Sequence, residues 1–250
     1  MMRNMALYDV YGQTYGATRH ADPRIGVRIA DALGDAASVA NIGAGTGSYE
    51  PPQTVAAIEP SLTMLGQRPS GSAPAAQAVA EHIPLRDGCV DAAMAILTVH
   101  HWSDLAAGIS EMRRIARRRL VFLTWIPELI SKFWLLAEYL PEAARTDADL
   151  AVPIDRLTGL LDRPRVLPVP IPYDCTDGFG AAYWRRPYAY LDRTVRDGIS
   201  LLARTGEDVL APGLSRLAMD LDSGRWQRDH ADLLERESID LGYRLVIADA

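Results

Sequence analysis

Val39-Ala-Asn-Ile-Gly-Ala-Gly-Thr-Gly-Ser-Tyr-Glu50 decides how this chain is read. Residues 38–42 form a short apolar run that stops at Gly43-x-Gly45-x-Gly47. Glycine is needed where a ligand approaches backbone closely or where φ is positive. Working outward, residues 54–58, 91–97 and 119–124 are further apolar runs of strand length. Near-continuous apolar runs suit strands buried on both faces of a parallel sheet. Between them lie helical patterns. Residues 103–117 place Leu105, Ile109, Met112 and Ile115 on one stripe, with Ser103 as the expected N-cap, and residues 61–68 form a shorter helix. The alternation predicts a doubly wound, mostly parallel α/β sheet.

Glu59 closes the second run, twelve residues after Gly47. A carboxylate there accepts hydrogen bonds from two ribose hydroxyls, so the pair points to an adenosine-containing ligand at the carboxyl edge of the sheet. The spacing argues against a dinucleotide. Its fingerprint is G-x-G-x-x-G, but here the third glycine comes one position early and Ser48 takes its place. Pro51-Pro52 leaves little room for a phosphate-capturing helix, and no G-x-x-x-x-G-K-[ST] occurs.

Several segments then agree with one family. Gly43-x-Gly45-x-Gly47 resembles motif I of the class I S-adenosylmethionine (SAM) dependent methyltransferases. Ile58-Glu-Pro-Ser61 resembles their acidic ribose-binding turn, and Val79-Ala-Glu-His-Ile-Pro-Leu-Arg-Asp-Gly-Cys-Val-Asp91 the segment covering adenine. Leu97-Thr-Val-His-His-Trp102, Glu111-Met-Arg-Arg-Ile-Ala116 and Leu120-Val-Phe-Leu-Thr-Trp125 follow in the family's order. The pattern is similar to a broad group of small-molecule and menaquinone-type C-methyltransferases. The resemblance implies a seven-stranded Rossmann-like sheet and SAM as cofactor. It implies cofactor contacts from Tyr15, Arg19, Asn41, Gly43, Ala44, Gly45, Gly47, Glu59, Pro60, Ala80, Glu81 and Leu97.

Two departures stand out. The family usually has Asp or Glu at position 41, and Asn41 supplies no charge to the cofactor ammonium. Only six residues, Ser48 to Gln53, separate Gly47 from the next strand, so the usual helix is reduced to about one turn, with Tyr49 and Glu50 as replacement contacts. Tyr11, Tyr15 and Arg19 recur four apart and share a helix face. That helix resembles the lid of many family members, with Arg19 on the cofactor carboxylate and Asp22-Pro23-Arg24 ending it.

On the acceptor side, His100 and His101 follow the fourth strand, where a histidine near neutral pKa could take a proton. Tyr11, His20, Trp125, Trp134 and Tyr183 are the expected acceptor contacts. Arg185 and Arg186 either bind an acidic group or cap helices. The second half reads as helices over 128–146, 153–162 and 178–236, with breaks at Arg186-Pro187, Gly206 and Pro212-Gly213. Residues 165–171 can only be an edge or irregular strand, because of the prolines in or beside them, and 243–248 is a last sheet strand. The organisation expected is a lid over 1–24, a cofactor-binding core over 25–126, a helical cap over 127–242 and a final strand over 243–250.

Composition bounds the rest. The 250 residues are 48% apolar and 23% charged with a net charge of −6, which argues against a nucleic-acid or anionic-membrane partner. No apolar run reaches the roughly 18 residues of a membrane span. Residues 1–10 lack a signal-peptide core, and two cysteines build no zinc or disulfide framework. The expectation is a cytoplasmic enzyme, monomer or homodimer, that methylates a small aromatic or hydrophobic acceptor. A SAM-fold enzyme of other chemistry and a catalytically silent SAM-binding interaction protein remain the alternatives.

Overall fold

The computed structural model describes residues 19–250. Strands β1 (Val39–Ile42), β2 (Thr54–Ile58), β3 (Ala75–Ala76), β4 (Val90–Ile96), β5 (Ala116–Trp125), β6 (Asp162–Pro168) and β9 (Tyr243–Asp249) form one sheet in the order β3-β2-β1-β4-β5-β9-β6. The pairs among β1 to β5 are parallel, and β9 runs antiparallel between β5 and β6. Strand order reverses between β1 and β4, the place where a doubly wound sheet opens a crevice at its carboxyl ends. All four residues of β1 are buried, as its unbroken apolar run requires.

Strand alternation divides the core into two layers. Met94, Val121 and Leu123 pack with Ile25, Ile29 and Leu33 of α1 (Pro23–Leu33) and with the helical region beyond β5. Ala93, Leu120 and Phe122 face the other way, onto Ile109, Met112 and Ile115 of α3 (Leu105–Ile115), the stripe expected from the sequence. The short helix α2 (Leu62–Gly66) is capped by the Ser61 side chain.

Several local expectations are corrected. Pro23 also begins a helix: it fills the first position of α1, where its missing N–H costs nothing, and Asp22 caps the Arg24 N–H. The cap of α3 is Asp104, whose side chain accepts from the Ala107 N–H, while Ser103 donates to Glu81. The stretch 128–146 is broken into a turn of helix at Pro127–Ile130, a π-helical turn at Leu135–Tyr139 and α4 (Pro141–Leu150), because Pro141 cannot continue the preceding turn. Pro212-Gly213 is no break: α5 (Glu207–Asp222) runs through it. Pro212 lies just beyond the first turn, and Gly213 is required because a Cβ there would sit 2.0 Å from the Tyr139 carbonyl oxygen. The same region also holds a small ribbon, in which β7 (Ile171–Pro172) pairs with β8 (Ser238–Ile239). The edge strand begins earlier than expected and ends at Pro168. Among the described residues no helix is long and apolar enough to cross a membrane.

Candidate functional site

A cleft of about 260 Å³ opens at the carboxyl ends of β1, β2 and β4. The turn after β1 forms its floor. Gly43 has φ +69°, and a Cβ on it would lie 2.0 Å from Thr98 Oγ1, so only glycine fits. Gly43 and Ala44 both donate their N–H to the Ile58 carbonyl, which seats the turn beside β2.

Glu59 projects from the end of β2 into this turn. One carboxylate oxygen accepts from the Gly45 N–H at 2.8 Å and the other from the Ser61 N–H at 2.9 Å. Burial raises its pKa against these hydrogen bonds and the Arg68 charge. Two backbone donors thus aim the carboxylate while leaving it capacity to accept more. Asn41 donates its Nδ2 to Glu50, 3.1 Å away, and Glu50 is in turn paired with Arg68 at 2.8 Å, both side chains being buried. Asn41 Oδ1 has no partner among the described residues. Residues 48–53 hold no helix at all, only turns, and the Glu50–Arg68 pair stands in that space.

Of the residues expected to hold cofactor, Arg19, Asn41, Gly43, Ala44, Gly45, Glu59, Pro60, Ala80, Glu81 and Leu97 line the cleft, as does His101. Gly47 does not; its position is needed for the turn, with φ +95°. Tyr11 and Tyr15, with most of the expected lid helix, lie outside the described residues. Glu81 also has a structural duty. It accepts from the N–H groups of Ser103 and Asp104 and from the Ser103 hydroxyl, ahead of α3. Burial would raise its pKa, but these hydrogen bonds outweigh it and hold the carboxyl low.

Arg19 does not stand alone. Its Nε lies 2.6 Å from Asp177 Oδ1, in a pair buried on both sides. The other Asp177 oxygen accepts from the Tyr49 hydroxyl at 2.9 Å, and burial pushes the Tyr49 pKa far up, keeping it a neutral donor. Sequence reading missed Asp177 because 158 residues separate it from Arg19.

A second, smaller cavity of about 60 Å³ adjoins the cleft, and Arg19 and Leu97 line both. Its wall includes His100, Trp125, Asp147, Phe179, Ile199 and Tyr243. The His100 ring lies 3.7 Å from that of His101, tilted by 49°, and meets the Trp125 ring edge-on at 4.7 Å. The expectation of near-neutral histidines is overturned. Burial, with the charges of His101, Arg204 and Arg19, drives the His100 pKa well down, and burial with Arg204 takes His101 to about 3. Both are neutral imidazoles at physiological pH and weak bases.

Three expected acceptor contacts fall elsewhere. His20 is exposed. Trp134 is buried against Phe133, Tyr190 and Trp226 and donates its Nε1 to the Trp184 carbonyl. Tyr183 packs against Tyr190, under the Arg186 guanidinium, and lines neither cavity. Arg186 donates to the backbone carbonyls of Cys175 and Ala182 and Arg185 to that of Arg236, all in loops or turns and none at a helix end. Thr46, Ser48, Met64, Thr98 and Trp102 line the cleft without having been singled out as site residues; each is a neighbour of a motif residue, which is the only signal that could have flagged it.

Comparison with known proteins agrees with this geometry. A family model described as a methyltransferase domain matches residues 40–123. A solved structure from Anabaena variabilis, assigned as a methyltransferase of an antibiotic biosynthesis pathway, is 35% identical. The match covers 92% of this chain and 98% of that one, with a TM-score of 0.86. A SAM-dependent methyltransferase from Thermotoga maritima shares the fold at 13% identity, with 100% and 99% of the chains covered and a TM-score of 0.57. The Bacillus subtilis YcgJ protein does so at 17%, over 90% and 97%, with a TM-score of 0.51. No curated protein matches the chain.

Proposed function

The chain belongs to the class I SAM-dependent methyltransferases, and we propose that it delivers the methyl group to a small aromatic or hydrophobic acceptor held in the inner cavity. The observation that carries this reading is the shared wall. Arg19 and Leu97 border both a cleft that contains the Glu59 carboxylate and a chamber walled by Trp125, Phe179, Ile199 and Tyr243. A mostly apolar chamber with few polar groups favours a planar or hydrophobic guest.

The residues present fit the cofactor. Glu59 is aimed by two N–H groups and retains acceptor capacity for ribose hydroxyls. Asn41 Oδ1, otherwise without a partner, suits an ammonium hydrogen. When bound, SAM supplies an electrophilic methyl group on a sulfonium. The chain's task is then alignment and exclusion of water, because in-line displacement depends on near-attack geometry. Leu97, with φ +51°, turns the chain sharply at the wall between the two cavities. Arg19, held by Asp177, brings positive charge to that wall, suited to the carboxylate end of the cofactor. His100 and His101 act as neutral shape-giving groups and not as the base. Residues 127–242 would serve as the cap over the acceptor, and 1–24 as the lid.

Calorimetry tests the reading. S-adenosylhomocysteine should bind and NAD(P) should not; binding of NAD(P) alone overturns it. Cofactor binding without methyl transfer to any small acceptor would favour a silent interaction protein instead.

A further inference from the structure

Asp147 is the only carboxylate among the described residues lining the inner cavity. It sits near the end of α4 and is buried. Its Oδ2 accepts from the Trp125 indole Nε1 at 2.9 Å, and Trp125 in turn meets His100 edge-on. Burial and that one hydrogen bond are what act on its carboxyl, and among the described residues no cation contacts it. A carboxylate in an apolar wall without a countercharge is costly, and such groups persist where a ligand completes them.

The neighbours narrow what that ligand offers. Arg19 is held by Asp177, and its charge does not act on Asp147. Both histidines are weak bases, and burial keeps the Tyr243 phenol protonated. Among the described residues the donor that reaches Asp147 is Trp125, so a second donor would be carried by the acceptor. We infer that Asp147 binds the nucleophilic N–H or O–H of the methyl acceptor and takes the proton it sheds, so that the acceptor is an amine or a phenol-like hydroxyl on an apolar body. This rests on the inner cavity being the acceptor chamber. The step balances. The nucleophile's lone pair forms the new bond to the methyl carbon, the carbon–sulfur bond breaks, and sulfur keeps that pair as a neutral thioether. The proton released from nitrogen or oxygen ends on the Asp147 carboxylate. A carboxylate acceptor would meet like charge at Asp147.

Asp147→Asn tests it, because asparagine keeps an acceptor for Trp125 and removes the charge and the base. Calorimetry at saturating S-adenosylhomocysteine would use 2-phenylethylamine, 4-ethylphenol and 3-phenylpropanoate as probes. The parent should bind the amine or the phenol, and whichever it binds identifies the nucleophile. The variant should bind that probe about tenfold more weakly or worse, as for a lost charge-assisted hydrogen bond. The carboxylate should bind the variant better than the parent. Unchanged S-adenosylhomocysteine affinity shows that the variant is folded. Equal probe affinities in parent and variant, a parent that prefers the carboxylate, or a parent that binds neither donor at millimolar concentration would each overturn the assignment. A parent that fails to bind S-adenosylhomocysteine overturns the cofactor reading itself, and the role of Asp147 with it.

Discussion

Arg19 Nε lies 2.6 Å from Asp177 Oδ1, and the two residues also form an isolated antiparallel bridge. The pair ties the segment leading into α1 to the loop that follows β7, at the wall between the two cavities. Removing one member leaves an uncompensated buried charge. Asp177→Ala should cost about 3–5 kcal/mol in urea unfolding. Tyr49→Phe removes only a neutral donor and should cost about 1–3 kcal/mol. Equal losses for the two variants would mean that the ion pair carries no special weight.

Glu59 and Glu81 both line the cleft, yet their hydrogen bonds differ: Glu59 accepts from the Gly45 and Ser61 N–H groups, and Glu81 from the groups ahead of α3. Glu59→Ala should weaken S-adenosylhomocysteine binding by about 1–3 kcal/mol, read by calorimetry, since its carboxylate faces the ligand space. Glu81→Gln should cost about 1 kcal/mol of stability through the start of α3 and little affinity. Reversed results would exchange the two roles.

Gly213 packs against the Tyr139 carbonyl across the α5 contact with the π-helical turn. Gly213→Ala should raise intrinsic helix propensity and still lower the melting temperature, because overpacking costs about 1–3 kcal/mol. A stabilised variant would show that the contact yields easily.

Acid stability should carry two opposing contributions. The His101 pKa is about 3 in the folded chain against 6.5 for an unperturbed histidine, so the unfolded state binds its proton first. Its stabilising contribution is present above pH 6.5 and is lost as pH falls toward 3. Burial pushes Asp147 the other way, up to about 6 from 3.8, so the folded state binds its proton first. Stability from that group falls as pH rises from 3.8 to 6. Asp147→Asn should therefore stabilise the protein at pH 8, by about 3 kcal/mol at most, and change little at pH 3.5. His101→Gln should flatten the loss between pH 6.5 and 3. Denaturant titrations across this range check both.

What the sequence alone determined is local or periodic. The run 54–58 is β2 residue for residue, and the apolar runs 38–42, 91–97 and 119–124 identified β1, β4 and β5, because strands buried on both faces must be apolar throughout. The glycine turn and Glu59 were legible because a positive φ and a carboxylate at a strand end are properties of single positions. Boundaries in the second half were less legible. There Pro212-Gly213 was read as a break, although what it serves is the approach of the Tyr139 carbonyl, 74 residues earlier in the chain. The inner cavity depended on tertiary structure. Arg19 and Asp177 stand 158 residues apart, and Trp125 reaches Asp147 only because the chain folds back through a π-helical turn between β5 and α4. The depressed histidine pKa values likewise follow from burial, a property no spacing encodes. Backbone preference is written residue by residue, whereas desolvation and charge pairing arise only when distant segments exclude water together.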